Sequence, residues 1–270
     1  MNTGFQGKHV VVTGASSGIG FDSISLFLAE GARVTACYKS NPNNLETLKD
    51  SYSERLNVVK VDVRNESEVA SLFSEANTVF GRVDVTVANA GIAFGEGVAV
   101  YEMSIKQWQE TIAVNLTGVF LCAKYFFVNL KKYPGDDASM VLVGSTAGEI
   151  GQALYSDYSA SKAGLRGLMM TLKNEIVHLA VRGRANLVNP GWTVTPMTEG
   201  ELSNKAKVSR ILQTIPLRKV ATPSDIAHAI LYLSSDKLAG HVSGQTITVA
   251  GGMDGRVLFS RDEMEEYIKL

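Results

Sequence analysis

Residues His9 to Gly20 read HVVVTGASSGIG, and this stretch sets the architecture expected for the whole chain. Its first part, His9–Thr13, holds the continuous β-branched run that is typical of a strand buried on both faces. Its second part is rich in glycine and small residues, and an apolar-periodic segment follows it to about Glu30. We therefore predict a strand, a glycine-rich turn and a helix, in that order.

The glycine-rich turn has the spacing G-x-x-x-G-x-G and departs from the literal G-x-G-x-x-G fingerprint. Small residues in such a turn let the backbone approach a pyrophosphate, and the following helix N-terminus offers N–H groups and the positive end of its dipole. A simple tight turn can have the same composition. The position between a buried strand and a helix favours a dinucleotide site.

Short β-branched runs alternate with amphipathic stretches along the rest of the chain. Further strands are predicted at Arg33–Tyr38, Val58–Val61, Val83–Ala88, Ser139–Val143, Arg184–Asn189 and Gln245–Val249, with long helices at Ser104–Lys131 and Tyr155–Val181. Repeated β-α-β units require parallel strands and right-handed crossovers. The pattern predicts an α/β fold, a doubly wound parallel seven-stranded sheet of the Rossmann type with helices on both faces, in a single domain over residues 1–270.

The end of the predicted second strand bears on the choice of dinucleotide. In dinucleotide-binding folds an acidic residue there binds the adenosine ribose hydroxyls, but this chain reads Tyr38-Lys39-Ser40. A lysine and a hydroxyl suit the 2′-phosphate of NADP through charge-assisted hydrogen bonds. The alternative is that Lys39 is a solvated surface cation, as most lysines are. We expect NADP(H) to be favoured over NAD(H).

Tyr158 and Lys162 lie four residues apart on a predicted helix, which places a phenol and an ammonium on one face. A free tyrosine has a pKa of about 10, too high for ready proton exchange near neutrality. A neighbouring cation stabilises the phenolate and lowers that pKa, which gives a usable general acid or base. In isolation, the same spacing also fits a structural tyrosine beside an exposed lysine.

Further motifs accompany this pair. They are Asn89-Ala90-Gly91 after the fourth strand, Asn115 in the first long helix, Ser145 after the fifth strand and Pro190-Gly191 after the sixth. With them the chain resembles the short-chain dehydrogenase/reductase family from His9 to Gly252. The resemblance implies an NAD(P)-dependent oxidoreductase that transfers a hydride between nicotinamide and a carbonyl or secondary alcohol substrate.

The resemblance also implies roles for single residues. Tyr158 matches the catalytic acid/base, and Lys162 matches the residue that lowers its pKa and holds the nicotinamide ribose. Ser145 matches the residue that hydrogen-bonds the reacting oxygen, and Asn115 the one that holds a water in the proton relay. The implied cofactor-binding residues are Gly14, Ser16, Ser17, Gly18, Ile19, Gly20, Tyr38, Lys39, Ser40, Asp62, Val63, Asn89, Ala90, Gly91, Tyr158, Lys162, Pro190, Gly191, Thr193 and Thr195.

Two positions depart from the family pattern. Ala88 precedes the fourth-strand motif where many members have a second asparagine. Phe21-Asp22 follows the glycine turn where small or apolar residues are more usual. An inward-pointing Asp22 would repel a pyrophosphate, whereas a solvent-facing one would not.

A long segment at residues 191–215, the substrate loop, follows the predicted sixth strand. Long loops in compact domains are often lids or binding loops, although a merely solvated excursion has the same length. The candidate substrate-binding residues are Ser145, Gln152, Tyr155, Trp192 and Met197. This mixture of apolar and polar side chains suits a 3-oxoacyl thioester, a sugar or polyol, a steroid or a small ketone.

Composition argues against several other classes of protein. The formal net charge is −1, which gives no indication of a nucleic-acid or anionic-membrane partner. The four histidines and two cysteines lack ligand spacing, so we expect no metal site and two buried, reduced thiols. No apolar run reaches the ~18 uninterrupted residues of a membrane helix. Because Met1–Lys8 also lacks the apolar core of a signal peptide, we expect a cytoplasmic protein.

Two features concern assembly. The long helices have wide apolar faces with Phe126-Phe127 and Met169-Met170, in agreement with the dimer or tetramer usual in the family, so we expect a homo-oligomer. The C-terminal tail, residues 254–270, carries the acidic cluster Asp262–Glu266. Such a cluster is a solvated helix face or a clasp on a neighbouring subunit.

A rival function is a non-catalytic dinucleotide-binding protein, a redox sensor or scaffold that uses the fold alone. The presence of Asn115, Ser145, Tyr158 and Lys162 together disfavours this interpretation, because a pure binder needs no such set. An epimerase or dehydratase acting on sugar nucleotides is disfavoured as well, because the chain lacks the length for an added substrate domain.

Overall fold

Seven parallel strands form one sheet in the computed structural model, which describes residues 2–260 and 262–267. The strands are β1 His9–Val12, β2 Arg33–Tyr38, β3 Leu56–Lys60, β4 Val85–Ala88, β5 Asp137–Val143, β6 Arg182–Pro190 and β7 Thr246–Val249. Their order is β3-β2-β1-β4-β5-β6-β7, and every neighbouring pair is parallel. The predicted doubly wound Rossmann-type fold is confirmed.

The strand order reverses direction at β1, which pairs with β2 on one side and with β4 on the other. Val11, in the centre of β1, is level with Thr35 and Thr86 of these two neighbours. In open parallel sheets, ligands bind at such a switch point, in the crevice beyond the carboxyl ends of the strands. The glycine-rich turn after β1 lies at this edge.

Helices cover both faces of the sheet. They are α1 Gly18–Ala29, α2 Leu45–Ser51, α3 Glu66–Phe80, α4 Ile105–Ile112, α5 Gly118–Lys132, α6 Ala147–Ile150, α7 Ser156–Glu175, α8 Glu199–Leu202, α9 Lys205–Leu212, α10 Pro223–Ser234 and α11 Asp236–Ala239. One core cluster contains residues of α3, α5 and α7, and the other contains residues of α1 and α10. The side chains of β1 alternate between them, because Val11 joins the first and Val10 and Val12 join the second.

The two predicted long helices differ from the observed ones: the first is interrupted and the second ends early. A π-helical turn, Ala113–Thr117, separates α4 from α5, and a 3₁₀ turn, Ile176–His178, ends α7 before the predicted Val181. Length and composition alone would allow the stretch Ile105–Lys132 to cross a membrane, but half of its most apolar window is buried inside the domain. The stretch packs against the sheet as a core helix does.

The substrate loop is only partly irregular, because it contains α8 and α9. Asn204 caps α9, and its side chain accepts hydrogen bonds from the backbone N–H groups of Ala206 and Lys207. Val208, Ile211 and Leu212 then repeat on one face at helical spacing and are buried. The sequence-based assignment of residues 191–215 as a loop therefore missed two helices.

The C-terminal tail contains a 3₁₀ helix at Asp262–Tyr267. Asp262 and Glu263 are exposed, as expected for a solvated acidic face, but Met264 is fully buried. It belongs to a third hydrophobic cluster, which contains residues of α9 and lies apart from the two sheet cores. Residues 261 and 268–270 of the predicted tail lie outside the described residues.

Candidate active site

The glycine-rich turn connects β1 to α1 at the switch point of the sheet. Gly14 and Gly18 have positive φ angles of 64° and 54°, which glycine adopts without steric cost. A Cβ atom on Gly20 would lie 2.2 Å from the carbonyl oxygen of Gly14. Gly20 therefore packs beneath the turn and allows the backbone to close tightly.

A cavity of about 480 Å³, the nucleotide cavity, opens above this turn. Its lining includes every predicted cofactor-binding residue except Gly20, whose place is under the turn. It also includes residues that the sequence did not single out, among them Cys37, Asn41, Asn43, Ile92, Val114 and Thr198. They come from β2, from the π-helical turn and from loops, so their common place in the lining depends on the three-dimensional crevice.

Asp22 lies outside the lining of the nucleotide cavity. The neighbouring charge that acts on it is His228 of α10. Partial burial raises the pKa of the Asp22 carboxyl, and His228 opposes that rise. The repulsion between Asp22 and a pyrophosphate, considered from the sequence, does not arise in this geometry.

The adenosine end of the cavity carries a cluster of charges. Lys39 Nζ lies 3.2 Å from Asp62 Oδ2, and Arg64 binds the same carboxylate at 2.6 Å. Arg64, and secondarily Lys39, hold the pKa of Asp62 well below its usual range. Lys39 is therefore an ion-paired cation with about half of its side chain exposed. Arg64 also pairs with Glu110 at 3.4 Å, so two cations and two carboxylates lie beside the predicted position of the ribose phosphate.

Asn89 fixes the turn from the neighbouring strand end. Its Nδ2 donates to the carbonyl oxygens of Thr13 and Gly14, at 2.9 and 3.0 Å. In return, Thr13 Oγ1 accepts hydrogen bonds from the backbone of Asn89 and Ala90. This reciprocal set ties β1 to β4 at the floor of the nucleotide cavity.

Tyr158 lies in the first turns of α7, where the nucleotide cavity reaches its inner end. Burial raises the pKa of its phenol, whereas its hydrogen bond with the Ser145 side chain lowers it. Lys162 Nζ lies 5.7 Å from the centroid of the phenol ring and is not among the causes of the shift. The expectation that Lys162 lowers the pKa of Tyr158 is therefore not met in this geometry.

Lys162 is a buried cation whose Nζ donates to the carbonyl oxygen of Val143 at 2.8 Å. Burial lowers its pKa from the ordinary 10.5 to about 8, because a low-dielectric environment disfavours the charged form. A Cβ atom on Gly91 would lie 3.3 Å from Lys162 Nζ and 3.4 Å from Asn115 Oδ1. The bare Gly91 α-carbon thus leaves room for both polar side chains.

Asn115 is fully buried in the π-helical turn. Its Oδ1 accepts from the N–H of Ile92, and its Nδ2 donates to the carbonyl of Ile92 and to Ser161 Oγ. The side chain is thus occupied by protein partners that connect the segment after β4 to α7. Asn115 does not line the nucleotide cavity, and its role in holding a water of the proton relay stays a prediction.

A second cavity of about 560 Å³, the substrate cavity, adjoins the first. All five predicted substrate-binding residues line it: Ser145, Gln152, Tyr155, Trp192 and Met197. The lining also includes charged residues that the sequence did not single out, Glu96, Glu201 and Lys207, and the apolar Ile150 and Met253. The two cavities share Ser145, Tyr158, Gly191, Met197 and Thr198, so the predicted acid/base lies where they meet.

Comparison with known proteins identifies the family. A family model described as enoyl-(acyl carrier protein) reductase matches residues 14–254. The chain is 35% identical over 254 residues to a cis-4-hydroxycyclohexanecarboxylate dehydrogenase of Sinomonas cyclohexanicum, with 93% of this chain and 98% of the relative covered. This chain belongs to the short-chain dehydrogenase/reductase family. It is an NAD(P)-dependent oxidoreductase.

Two further relatives support this assignment to the short-chain dehydrogenase/reductase family. A 3-oxoacyl-[acyl-carrier-protein] reductase of Synechocystis is 35% identical over 257 residues, with 93% of this chain and 98% of the relative covered. The crystal structure of a short-chain dehydrogenase/reductase, titled glucose/ribitol dehydrogenase, from Brucella melitensis superimposes with a TM-score of 0.85 at 31% identity. That match covers 95% of this chain and all of the other.

In this short-chain dehydrogenase/reductase a buried amide holds the Ser145 backbone. Asn189, at the end of β6, accepts the N–H of Ser145 at 3.1 Å and donates to Glu149 Oε1 at 2.8 Å. Glu149 also accepts from the hydroxyl of Thr248 on β7. A Cβ atom on Gly144 would lie 1.9 Å from Asn189 Oδ1, so glycine is required before Ser145. The contact between Asn189 and the Ser145 backbone could not be predicted from the sequence, because the partners of Asn189 are remote in the chain.

The segment after β6 borders both cavities. Pro190, Gly191, Thr193 and Thr195 line the nucleotide cavity, as predicted. Thr198 Oγ1 donates to a carbonyl of this segment, that of Thr193 at 2.5 Å, and accepts from the N–H of Thr195. These bonds fold the start of the substrate loop into a compact turn beside the inner end of the nucleotide cavity.

The two cysteines are both buried and free, as predicted. Burial raises the pKa of Cys122 to about 12 and that of Cys37 well above its ordinary value. Both thiols are therefore protonated near neutral pH, and the thiolate is the nucleophilic form. In the part of the chain that the structure describes, no group of three or more His, Cys, Asp or Glu side chains could hold a metal ion.

Proposed function

We propose that this enzyme transfers a hydride between NADP(H), favoured over NAD(H), and the carbonyl or secondary alcohol carbon of a small molecule, with Tyr158 as the general acid/base. One observation carries the proposal. The nucleotide and substrate cavities share Ser145 and Tyr158, so an oxygen on the reacting carbon can reach both hydroxyls. Two hydroxyls at one point of a buried crevice suit a reaction in which charge develops on that oxygen.

The residues present fit a dinucleotide. The turn of Gly14 and Gly18 offers a close backbone approach for the pyrophosphate, and Ser16 and Ser17 line the same part of the cavity. Tyr158 and Lys162 suit the nicotinamide ribose, while Thr193 and Thr195 suit the carboxamide. A bound nicotinamide supplies or accepts the hydride, and the remaining steps belong to the chain.

In the reductive direction, Tyr158 is the proton donor. Burial raises the pKa of the Tyr158 phenol and keeps it protonated, which makes it a proton donor to an oxygen that gains negative charge. The Ser145 hydroxyl gives the same oxygen a second hydrogen bond. Lys162, with a pKa of about 8, is largely cationic at pH 7, and its Nζ lies 5.7 Å from the centroid of the phenol ring, where it suits the nicotinamide ribose.

The preference for NADP(H) rests on the charges at the adenosine end. Lys39 and Arg64 both contact Asp62, and Arg64 also contacts Glu110, so two carboxylates balance the two cations of the cluster. A 2′-phosphate near Lys39 would form a charge-assisted hydrogen bond. Asp62 competes for the same ammonium, and this competition limits how strong the preference can be.

We also propose that the enzyme is a homo-oligomer and that it is located in the cytoplasm. Phe120 and Val128 on α5, and Met170 on α7, are large apolar side chains with more than a third of their surface exposed. Phe126 and Met169 are instead buried in the core of the described chain. Exposed apolar side chains on neighbouring long helices suit a subunit contact.

The test is NADPH and NADH oxidation by the purified enzyme against a panel of carbonyl compounds. The panel contains a 3-oxoacyl thioester, a keto-sugar, an aryl ketone, a diketone and a steroid, which are the classes that the substrate cavity suits. Turnover with at least one of them, faster with NADPH than with NADH, supports the proposal. Tight NADPH binding without turnover of any of them favours the non-catalytic binder.

A further inference from the structure

The substrate loop is held from its outer side by the C-terminal tail. Met264 is fully buried and belongs to the third hydrophobic cluster with Val208, Ile211, Leu212 and Ile215. The first three of these partners lie on α9, and Ile215 follows the end of that helix closely. A large part of the apolar face of α9 is thus covered by the tail and not by the sheet.

Hydrogen bonds fix the tail in register on the loop. The N–H of Leu258 donates to the carbonyl of Gln213 at 2.7 Å, and the Gln213 side chain donates to the carbonyl of Phe259 at 3.0 Å. The guanidinium of Arg218 lies 4.3 Å from the centroid of the Phe259 ring. Polar and cation–π contacts therefore accompany the burial of Met264.

The same elements form walls of the substrate cavity. Trp192 and Met253 both line the cavity and pack against the third cluster. Gly255, at the start of the tail, is also in the lining. Any movement of the tail therefore changes the wall that faces a substrate, whereas the nucleotide cavity includes no residue of the tail.

Most of the tail lies beyond the range that the family model matches. The family model matches residues up to 254, and Leu258, Phe259 and Met264 come after that point. The contacts of Leu258, Phe259 and Met264 with the loop therefore come from residues outside the matched range. They are placed where substrate selection occurs.

We propose that the C-terminal tail is a specificity-determining segment: by burying Met264 against α9, it holds the substrate loop closed over the substrate cavity and limits the size of the substrates that enter. The inference rests on the proposed function for its substrate readout. The hold of the tail on the substrate loop can be measured without turnover, from the rate at which a protease cuts α9. When the loop is closed only part of the time, the apparent substrate affinity falls in proportion to the closed fraction.

The experiment compares Met264→Ala with two matched variants. Met264→Leu keeps the apolar volume, and Val257→Ala removes a side chain of the same tail that is 71% exposed. Truncation of a buried methionine removes enough packing to open a single surface segment. We expect Met264→Ala to raise the KM for the best carbonyl substrate about 10-fold or more. The ratio of kcat/KM for a bulkier ketone to kcat/KM for that substrate should be higher in the variant than in the parent.

Three readouts separate this effect from general damage. The kcat and the NADPH dissociation constant of Met264→Ala should stay within about 3-fold of the parent, because the tail does not reach the nucleotide cavity. Limited trypsin digestion should cut α9 faster, at Lys205, Lys207 or Arg210, in Met264→Ala only. Met264→Leu and Val257→Ala should match the parent in both KM and cleavage.

The outcomes are distinct. Unchanged cleavage of α9 in Met264→Ala overturns the proposal, because the loop is then not held by the tail. Faster cleavage with an unchanged KM and unchanged size selection overturns the specificity role. If the parent enzyme turns over no carbonyl compound, faster cleavage in Met264→Ala still supports the hold on the loop, while the proposed function fails.

Discussion

The nucleotide side and the substrate side of this active site are built by different means. On the nucleotide side, the backbone is fixed by the ends of β1, β2 and β4 and by the bond from Asn89 to the turn at Gly14. On the substrate side, the walls come from α6, the substrate loop and the C-terminal tail, and the last two associate through a small hydrophobic cluster of their own. This contrast indicates that the sheet determines the cofactor, while peripheral segments determine the substrate.

Gly20→Ala should disrupt the nucleotide side with the largest effect among the structural variants. The new Cβ would lie 2.2 Å from the Gly14 carbonyl oxygen, so the turn must shift, and overpacking on this scale weakens binding by about 100-fold. Gly200→Ala is the control on the substrate side, because no atom lies within 4 Å of its Cβ position. Titration with NADPH should give an unchanged affinity for the control, and equal affinities for both variants would contradict the contrast.

Lys162→Met should stabilise the fold while it removes activity. The pKa of Lys162 is about 8 in the folded chain, against an ordinary 10.5. Between pH 8 and pH 10.5, Lys162 is therefore mostly protonated in the unfolded chain and mostly neutral in the folded chain. The cost to stability is therefore complete below pH 8 and disappears above about pH 10.5. We expect the free energy of unfolding to rise at pH 7 by at most about 3 kcal/mol, with a smaller gain at pH 9.5. Urea unfolding at both pH values measures this, and a loss of stability at pH 7 would oppose it.

Asn189→Asp tests the junction of the two sides. The new carboxylate still accepts the Ser145 N–H but faces Glu149 at the present hydrogen-bond distance of 2.8 Å. Repulsion between the two carboxylates should displace the Ser145 segment and lower kcat about 10-fold, with NADPH affinity unchanged. Glu149→Gln alone keeps an acceptor for Asn189, so it should behave like the parent.

The double variant Asn189→Asp with Glu149→Gln provides the rescue. The amide introduced at position 149 can donate to the carboxylate introduced at position 189, so kcat should return to within about 3-fold of the parent. A general loss of packing would not be repaired by this exchange. Failure of the rescue at equal thermal stability would remove Asn189 from the positioning of Ser145.

Lys39→Asp should have the smallest effect, a shift in cofactor preference toward NADH. Loss of one half-exposed, charge-assisted contact changes the ratio of kcat/KM for NADPH and NADH by about 10-fold. Lys49→Asp is the control, because Lys49 lies on α2 and outside the nucleotide cavity. An unchanged ratio would show that Lys39 serves only its pair with Asp62.

The strand, turn and helix of the nucleotide side could be predicted from the sequence, because their signals are local. Val10-Val11-Val12 indicates the strand, Gly14 and Gly18 indicate the turn, and Tyr158 and Lys162 share a helix face. Each of these patterns depends on residues within a few positions of one another. The predicted ends of the strands were less accurate. The sixth strand was predicted at Arg184–Asn189, but pairing with β5 extends β6 back to Arg182 and pairing with β7 extends it to Pro190.

The substrate side could be predicted only in part, because its determinants are contacts between remote segments. The cap at Asn204 and the spacing of Val208, Ile211 and Leu212 could have indicated α9. Nothing near Met264 indicates burial, since acidic residues surround it and its partners precede it by about 50 residues. The raised pKa of Tyr158 was also missed, because burial depends on the whole crevice.

The decisive measurement combines turnover and NADPH binding in Tyr158→Phe. The phenol hydroxyl is the group removed at the point where the nucleotide and substrate cavities meet. We predict that turnover of the best carbonyl substrate falls by at least about 100-fold, while the NADPH dissociation constant stays within about 3-fold of the parent. Near-normal turnover in this variant would contradict the assignment of Tyr158 as the general acid/base.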